Sequence, residues 1–438
     1  MAYDNQSQNE GLADASEAGA SEAGASEAGA SEAGASEAGA SEAGASEAGA
    51  SEAAPSETLD TIENWDDLPD IKTLLLRGIY AHGFEAPSPI QKKAILPFFE
   101  GKDIIAQAQS GTGKTGCFTI GTLQRIDTDV EITQAMILSP TRELSFQIKK
   151  VFDAIGSMIP KMRTQLLIGG TSTEEDIQLL EQQPPHIVIG CTGRVQDMLR
   201  RKRLKIEHLK IIVVDEADEM FSYGFKEQIY NIFQYLPNEV QVALFSATMP
   251  NELNVLTEKF MRKPVKILVK AESLTLEGIS QYYVALDTDD HKYEALKDLY
   301  SVFSVSQCII YCNTVKRVQD LYEAMMQDDF PVCRIHSNMD KNERHANYTD
   351  FTSGKMRVLI SSDVTARGID VQQVSTVINF DIPRDVHSYL HRIGRSGRWG
   401  RKGMGINFVT KYDTRLLKDI ESYYHTEIGE LPANVVTN

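Results

Sequence analysis

Short apolar runs, each ending in a knot of polar residues, recur along this chain with helix-length spacers between them. Ala135-Met-Ile-Leu138 ends at Ser139-Pro-Thr-Arg-Glu-Leu144, Gln165-Leu-Leu-Ile168 at Gly169-Gly170, and His186-Ile-Val-Ile189 at Gly190-Cys-Thr-Gly-Arg194. Ile211-Ile-Val-Val214 ends at Asp215-Glu-Ala-Asp218, and Gln241-Val-Ala-Leu-Phe245 at Ser246-Ala-Thr248. Runs this short and this uniformly apolar predict parallel strands buried on both faces and joined by helices. In such sheets ligands bind beyond the carboxyl ends of the strands, where all these polar knots fall. A second series begins near Glu277: Gln307–Tyr311, Val332–Ile335, Arg357–Ile360, Thr376–Phe380 and Gly405–Val409. The chain of 438 residues therefore reads as α/β, with parallel-sheet domains over 61–269 and 277–438 and a linker over 270–276.

The first series opens on Ile104-Ile-Ala106, followed by Ala108-Gln-Ser-Gly-Thr-Gly-Lys-Thr115 and the helix-like Gly116–Ile120. Strand, glycine-rich loop and helix make a setting in which backbone N–H groups cradle phosphates. Gly111 and Gly113 let the chain curl around a polyphosphate; Ala108, Gln109, Ser110 and Thr112 complete the loop. Lys114 reaches the β- and γ-phosphates, and Thr115 places its hydroxyl on Mg2+. The general pattern starts on Gly, and here that position is Ala108. Asp215 suits the Mg2+ site, and Glu216 suits a group that orients and deprotonates the attacking water.

Upstream, Asp70 to Gly83 has helical spacing, with Leu74, Leu75, Ile79 and Tyr80 on one side. In Gly83-Phe-Glu-Ala-Pro-Ser-Pro-Ile-Gln91, Pro89 opens the next helix. The Gln91 amide can pair with an adenine edge, and Phe84 can stack on its face. From these nine residues alone, a capped helix with a packed Phe is the preferred reading. The second series has no phosphate loop. It carries Asp363-Val-Thr-Ala-Arg-Gly-Ile-Asp370 and His391-Arg-Ile-Gly-Arg-Ser-Gly-Arg398. Arg395 and Arg398, three apart on a helical turn, fit arginine fingers; Gly394 and Gly397 argue against a plain solvated helix face.

The net charge of −18 is unevenly spread. Residues 1–60 hold thirteen of the 62 acids and no Lys or Arg, leaving −5 for the rest, so a basic groove for RNA remains open. Residues 15–49 are seven copies of Ala-Ser-Glu-Ala-Gly. Gly every fifth residue costs a helix about 1 kcal/mol each time, and there is nothing large to bury. Residues 1–60 read as a disordered acidic tail, inert in preference to an RNA decoy. No apolar run approaches the roughly 18–20 residues of a membrane span. Five cysteines in no disulfide or zinc pattern suggest an intracellular compartment, each a small buried hydrophobe.

From about Trp65 to the C-terminus, the ordered set of these motifs resembles the DEAD-box RNA helicases, with Asp215-Glu-Ala-Asp218 as the eponymous tetrad. Leu75–Tyr80, Leu274–Ile279, Leu417–Glu421 and Leu431–Val435 bring it nearest the translation initiation factor 4A group. The resemblance implies two RecA-like domains in tandem that close on ATP, Mg2+ and single-stranded or locally duplexed RNA. It implies that Phe84 stacks on adenine, Gln91 reads it and Asp370 holds the ribose. Lys114, Asp215, Glu216, Arg395 and Arg398 would be catalytic, and Ser246 and Thr248 would couple closure to hydrolysis. Arg142, Gly170, Arg194, Ser362 and Arg367 would touch RNA. A cytoplasmic monomer that serves translation initiation with a scaffold protein is implied. A nuclear mRNA-processing clamp, a poorly hydrolysing scaffold and a protein-directed ATPase are the other readings.

Four departures from the family stand out. Trp65 replaces a usual Phe, Cys191-Thr192 a usual Thr-Pro, His336-Ser-Asn-Met339 a usual His-Gly-Asp-Met, and Lys341 a usual Gln. They imply near-normal nucleotide binding and altered RNA affinity.

Overall fold

The computed structural model describes residues 60–108, 111–221, 224–249, 251–268, 278–302, 307–365, 374–397 and 402–432. All of the 1–60 tail except Asp60 lies outside them, as do the linker over 270–276, Gln109, Ser110, Arg367, Asp370 and Arg398.

The first sheet comprises β1 Ile104–Gln107, β2 Ala135–Leu138, β3 Thr164–Leu167, β4 Ile187–Gly190, β5 Ile211–Asp215, β6 Gln241–Ser246 and β7 Val265–Leu268. Its order is β3-β4-β2-β5-β6-β1-β7, with every pairing parallel. The second comprises β8 Ile279–Ala285, β9 Cys308–Tyr311, β10 Val332–Ile335, β11 Val358–Ser361, β12 Thr376–Asn379, β13 Gly403–Val409 and β14 Gly429–Glu430. Its order, β10-β11-β9-β12-β13-β8-β14, repeats the first strand for strand. The pairings are again parallel, so both sheets are the RecA-like units that the resemblance implies.

Successive side chains on a strand point to opposite faces. Ile104 and Ala106 join one core with Ile137, Ile189, Val213 and Phe245; Ile105 joins the other with Met136, Leu138, Val214 and Leu244. Burial on both faces explains why these strands read as unbroken apolar runs. The second sheet divides likewise, Ile309 and Tyr311 facing one core and Cys308 and Ile310 the other.

The Asp70–Gly83 expectation needs correction. The helix is Thr73–Ala81, and its buried face is Leu75, Gly78 and Ile79, while Leu74 and Tyr80 are exposed. Gly78 lies on the packed side because it meets the Ile155 backbone too closely for a side chain. That turns Leu74 and Tyr80 outward, and the Tyr80 hydroxyl donates to Asp66 instead. Four of the five cysteines are buried as expected; Cys191 is half-buried.

Candidate functional site

The order β5-β6-β1 brings three carboxyl ends together. At the end of β1, the Ala108 N–H donates to Ser246 O at 3.0 Å, and its carbonyl accepts from Lys114 Nζ at 2.9 Å. The Ala108 methyl packs in the core and its φ is not positive, so glycine is not needed there. It is needed at Gly113, where φ is 99° and a Cβ would stand 2.7 Å from Ser88 Oγ and 2.8 Å from Gln91 Nε2. Gly113 precedes the helix Lys114–Arg125, whose N-terminal dipole and free N–H groups face the loop. Thr112 lies in that loop and Thr115 in the first turn of the helix.

Gln91 realises the capped-helix reading. It is the third residue of helix Pro89–Phe99, and its Oε1 accepts from Ser88 N at 2.7 Å. Its Nε2 also donates to Gly113 O at 3.0 Å, which ties this helix to the phosphate loop. Half-buried Phe84 lies beside it, its carbonyl accepting from Trp65 Nε1 at 3.0 Å. A Phe at position 65 would lack that donor.

β5 delivers Asp215, and the chain leaves the strand through Glu216 in left-handed backbone, φ 49° and ψ 53°. Side-chain residues held there store on the order of 1–3 kcal/mol of strain. Lys114, Asp215 and Glu216 are all buried, with Lys114 Nζ 3.7 Å from Glu216 Oε2. Burial and the neighbouring Glu216 push Asp215 up to about 7. Burial also opposes the charge on Glu216, but Lys114, then His391 and Arg395, hold it below the usual carboxylate range. Glu216 Oε2 accepts no hydrogen bond among the described residues. The raised Asp215 marks a buried carboxylate short of positive charge, and carboxylate and hydroxyl oxygens suit a hard cation. No cluster of three His, Cys, Asp or Glu side chains stands ready for a metal among the described residues. A cation here would therefore draw on Thr115 and on oxygens brought by a phosphate ligand.

β6 ends at Ser246, whose Oγ accepts from Asp218 N at 3.2 Å and donates to Thr248 O at 2.7 Å. Thr248 Oγ1 donates to Asp218 Oδ2 at 2.7 Å. The same carboxylate oxygen lies 3.0 Å from His391 Nε2 of the second domain. Arg395 is buried, and its Nε donates to His391 O at 3.1 Å. The expectation of one helical turn for Arg395 and Arg398 is corrected: the helix Val386–Ile393 has ended, and Arg395 lies in the turn after it. In the second sheet the position equivalent to Lys114 is Lys292, which pairs with Asp381 at 3.1 Å and Asp289 at 2.8 Å. Asp287-Thr-Asp-Asp290 replaces the glycine loop there, so phosphate-cradling geometry belongs to the first domain alone.

A second cleft, of about 470 Å3, lies at the ends of β2 and β4, lined by Thr141, Arg142, Cys191 and Arg194, with Arg344 from the second domain. Arg194 is held inside the first domain by Asp176, by Thr171 Oγ1 at 3.1 Å and by Thr171 O at 2.9 Å. It therefore braces the loop that follows Gly170. The Thr192 hydroxyl turns inward to Gln228, and Cys191 Sγ lies 3.6 Å from Ser145 Oγ. Ser362 follows β11, its N–H donating to Ile335 O at 3.4 Å.

Sequence reasoning assigned no role to Glu143 or Arg392. Glu143 pairs with Arg344 across the domains at 2.5 Å, and Gln147 Nε2 donates to Tyr348 OH at 2.8 Å beside it. Partners 201 residues apart leave no local signal.

Residues 88–256 match the DEAD/DEAH box helicase family model, and residues 291–400 match the helicase conserved C-terminal domain. The ATP-dependent RNA helicases eIF4A of Phaeosphaeria nodorum and Chaetomium globosum are each 52% identical over 376 residues, covering 86% of this chain and 94% of theirs. The structure of S. cerevisiae Dbp5 bound to RNA and ADP BeF3 superposes with a TM-score of 0.80 at 33% identity, over 85% of this chain and 96% of that one. Mss116p bound to ssRNA and AMP-PNP gives 0.75 at 26% identity, over 83% and 78%. Motifs, repeated strand order and identity over most of its length agree: the chain belongs to the DEAD-box helicases, in the eIF4A group.

Proposed function

We propose that this chain is an ATP-dependent RNA helicase of translation initiation, which opens short duplexes by closing its domains, 61–269 and 277–438, on ATP and one RNA strand. The carrying observation is Asp218, whose Oδ2 is gripped by Thr248 from its own domain and by His391 from the other. Any movement between the domains is thereby felt two residues from Glu216.

In this reading the loop from Ala108 to Thr115, including Gln109, Ser110, Gly111, Thr112 and Gly113, wraps the triphosphate. Lys114 moves from the Ala108 carbonyl onto the phosphates. Phe84 stacks on adenine, Gln91 offers its second N–H and lone pair, and Asp370 holds the ribose. Thr115 and Asp215 would hold Mg2+, which neutralises charge on the transferring phosphoryl group. Glu216 orients the attacking water and takes its proton; Arg395 and Arg398 face the phosphoryl oxygens. Ser246 and Thr248 transmit the state of the site to Asp218 and His391. Arg142, Gly170, Arg194, Ser362 and Arg367 form the RNA track, touching phosphates and 2′-OH groups, which favours RNA over DNA with little sequence preference. A cytoplasmic monomer working with a scaffold protein fits the eIF4A group. The Glu143–Arg344 and Gln147–Tyr348 contacts also favour a second reading, a clamp that stays closed on RNA. No described helix is long and apolar enough to cross a membrane.

Steady-state ATP hydrolysis with and without single-stranded RNA tests the proposal. Strong stimulation by RNA is the expected outcome; hydrolysis indifferent to RNA defeats it. Slow RNA release after hydrolysis would select the clamp. The RNA cleft yields a further expectation. Burial pushes the Cys191 thiol up to about 11, so it stays neutral and is a weak donor. Cys191→Thr should tighten RNA binding by roughly twofold to tenfold, the worth of one net hydrogen bond, with nucleotide affinity unchanged. Equal anisotropy titrations for wild type and variant would refute it.

A further inference from the structure

Of the cations at the RNA cleft, two are already committed. Arg194 is bound to Asp176 and Thr171, and Arg344 is paired with Glu143, both side chains nearly buried. Arg142 Nε is buried without a hydrogen-bond partner among the described residues. Lys341, exposed at the first position of the helix Lys341–Thr352, has no ion pair with a described residue. Its aliphatic chain crosses to the first domain and lies on Gly170. A Cβ added at Gly170 would stand 2.4 Å from Lys341 Cδ and 2.6 Å from Cε. Gly170 has φ 98°, so its backbone as well as its missing side chain makes the seat.

We propose that Lys341 is a phosphate-binding residue for single-stranded RNA, acting with Arg142 across the cleft, and that it joins the RNA track only when the two domains are closed. The assignment rests on the RNA-helicase reading and adds to it a cation where the family usually has an uncharged Gln. The helix that carries Lys341 docks on the helix Arg142–Ile155 through Arg344 on Glu143 and Tyr348 on Gln147. The rings of His345 and Phe146 complete the contact at 5.7 Å between centroids. Those contacts fix where the lysine points. Once the domains part, Lys341 leaves Gly170 with its helix, and Arg142 stays behind. The neighbouring Asp340 makes no ion pair with Lys341: its carboxylate accepts from the Asn342 and Glu343 N–H groups at its own helix start.

The test is RNA binding by the full chain, read by anisotropy of a labelled oligouridylate over a series of KCl concentrations. It is run with ADP·BeF3 and Mg2+, and again with no nucleotide. With ADP·BeF3, Lys341→Gln should bind roughly threefold to tenfold more weakly. Its slope of log K against log salt should be shallower by about 0.7, the loss of one phosphate contact on a single strand. Lys341→Arg should restore both. Without nucleotide, wild type and Lys341→Gln should be equal. Unchanged affinity and slope overturn the assignment; an equal loss with and without nucleotide overturns its dependence on closure. A wild-type chain that binds no oligouridylate defeats the RNA reading itself, and this assignment with it.

Discussion

Glu216→Gln should lose about two to four orders of magnitude in ATP turnover, the usual contribution of a positioned general base, while still binding ATP. The substitution keeps shape and backbone demand, since Gln is no worse than Glu in the left-handed conformation at φ 49°. What it removes is a charge held below the ordinary carboxylate range by Lys114, His391 and Arg395. An amide cannot take the proton of the attacking water. Its loss should also ease the neighbour, because Glu216 is, after burial, the main cause of the raised Asp215 pKa. Lys114 then has one carboxylate less within 4 Å, so affinity for the polyphosphate should hold or rise. Single-turnover phosphate release measured beside ATP affinity separates the two effects. Turnover within tenfold of wild type would remove Glu216 from the chemistry. Lost turnover with lost ATP binding would mean that it holds the pocket together instead.

The sequence was most legible where physics leaves few choices. A strand buried on both faces must be apolar at every position, and Ala135–Leu138 has the same bounds in sequence and structure. Val265-Lys-Ile-Leu268 was missed because it is an edge strand interrupted by Lys266. Ile279–Ala285 was missed because, flanked by the two-residue Gly429–Glu430, it is mostly half-exposed. The phosphate loop announces itself because left-handed turns and close approach force glycine at fixed distances from a lysine. The domain contact announces nothing. Asp218 and His391 are 173 residues apart, and each sits in a motif already explained by another role. The repetition of strand order could not be read either, since register and neighbour relations are long-range facts. It makes sense of Lys292. Seven residues past the end of β8, as Lys114 is seven past the end of β1, it answers two aspartates where Lys114 answers a glutamate and, in the proposed reading, a triphosphate.

Arg392 shows the largest gap between sequence and structure, and replacing it should cost more stability than any other change considered. Its basic motif gives it no role of its own in the sequence, yet it is fully buried. Its Nε and Nη2 bind the Asp363 carboxylate at 2.6 and 3.0 Å. Nη1 reaches Asp381 O at 2.7 Å and Asn379 Oδ1 at 3.3 Å, and Nη2 also reaches Asn313 Oδ1 at 2.7 Å. The guanidinium lies over the Tyr311 ring at 5.3 Å. One side chain thus joins the carboxyl ends of β9, β11 and β12 to the helix that carries His391. Asp363 is 47% exposed and can return to water if the arginine is lost, so the ion pair is the smaller part of the cost. The acceptors on Asp381, Asn379 and Asn313 cannot all do so, and each buried acceptor left alone costs about 1–3 kcal/mol. Arg392→Met should therefore destabilise the second domain by about 3–5 kcal/mol, a fall on the order of 10 °C in its melting temperature. Arg392→Lys should do nearly as badly, because one ammonium cannot reproduce the planar fork. Calorimetry of the full chain should show the second-domain transition falling while nucleotide still stabilises the first. RNA-stimulated hydrolysis should fail in both variants, since His391 and Arg395 depend on the same helix end. An Arg392→Lys variant that melts within a degree or two of wild type would show that charge alone, and not the five-bond geometry, holds these strand ends together.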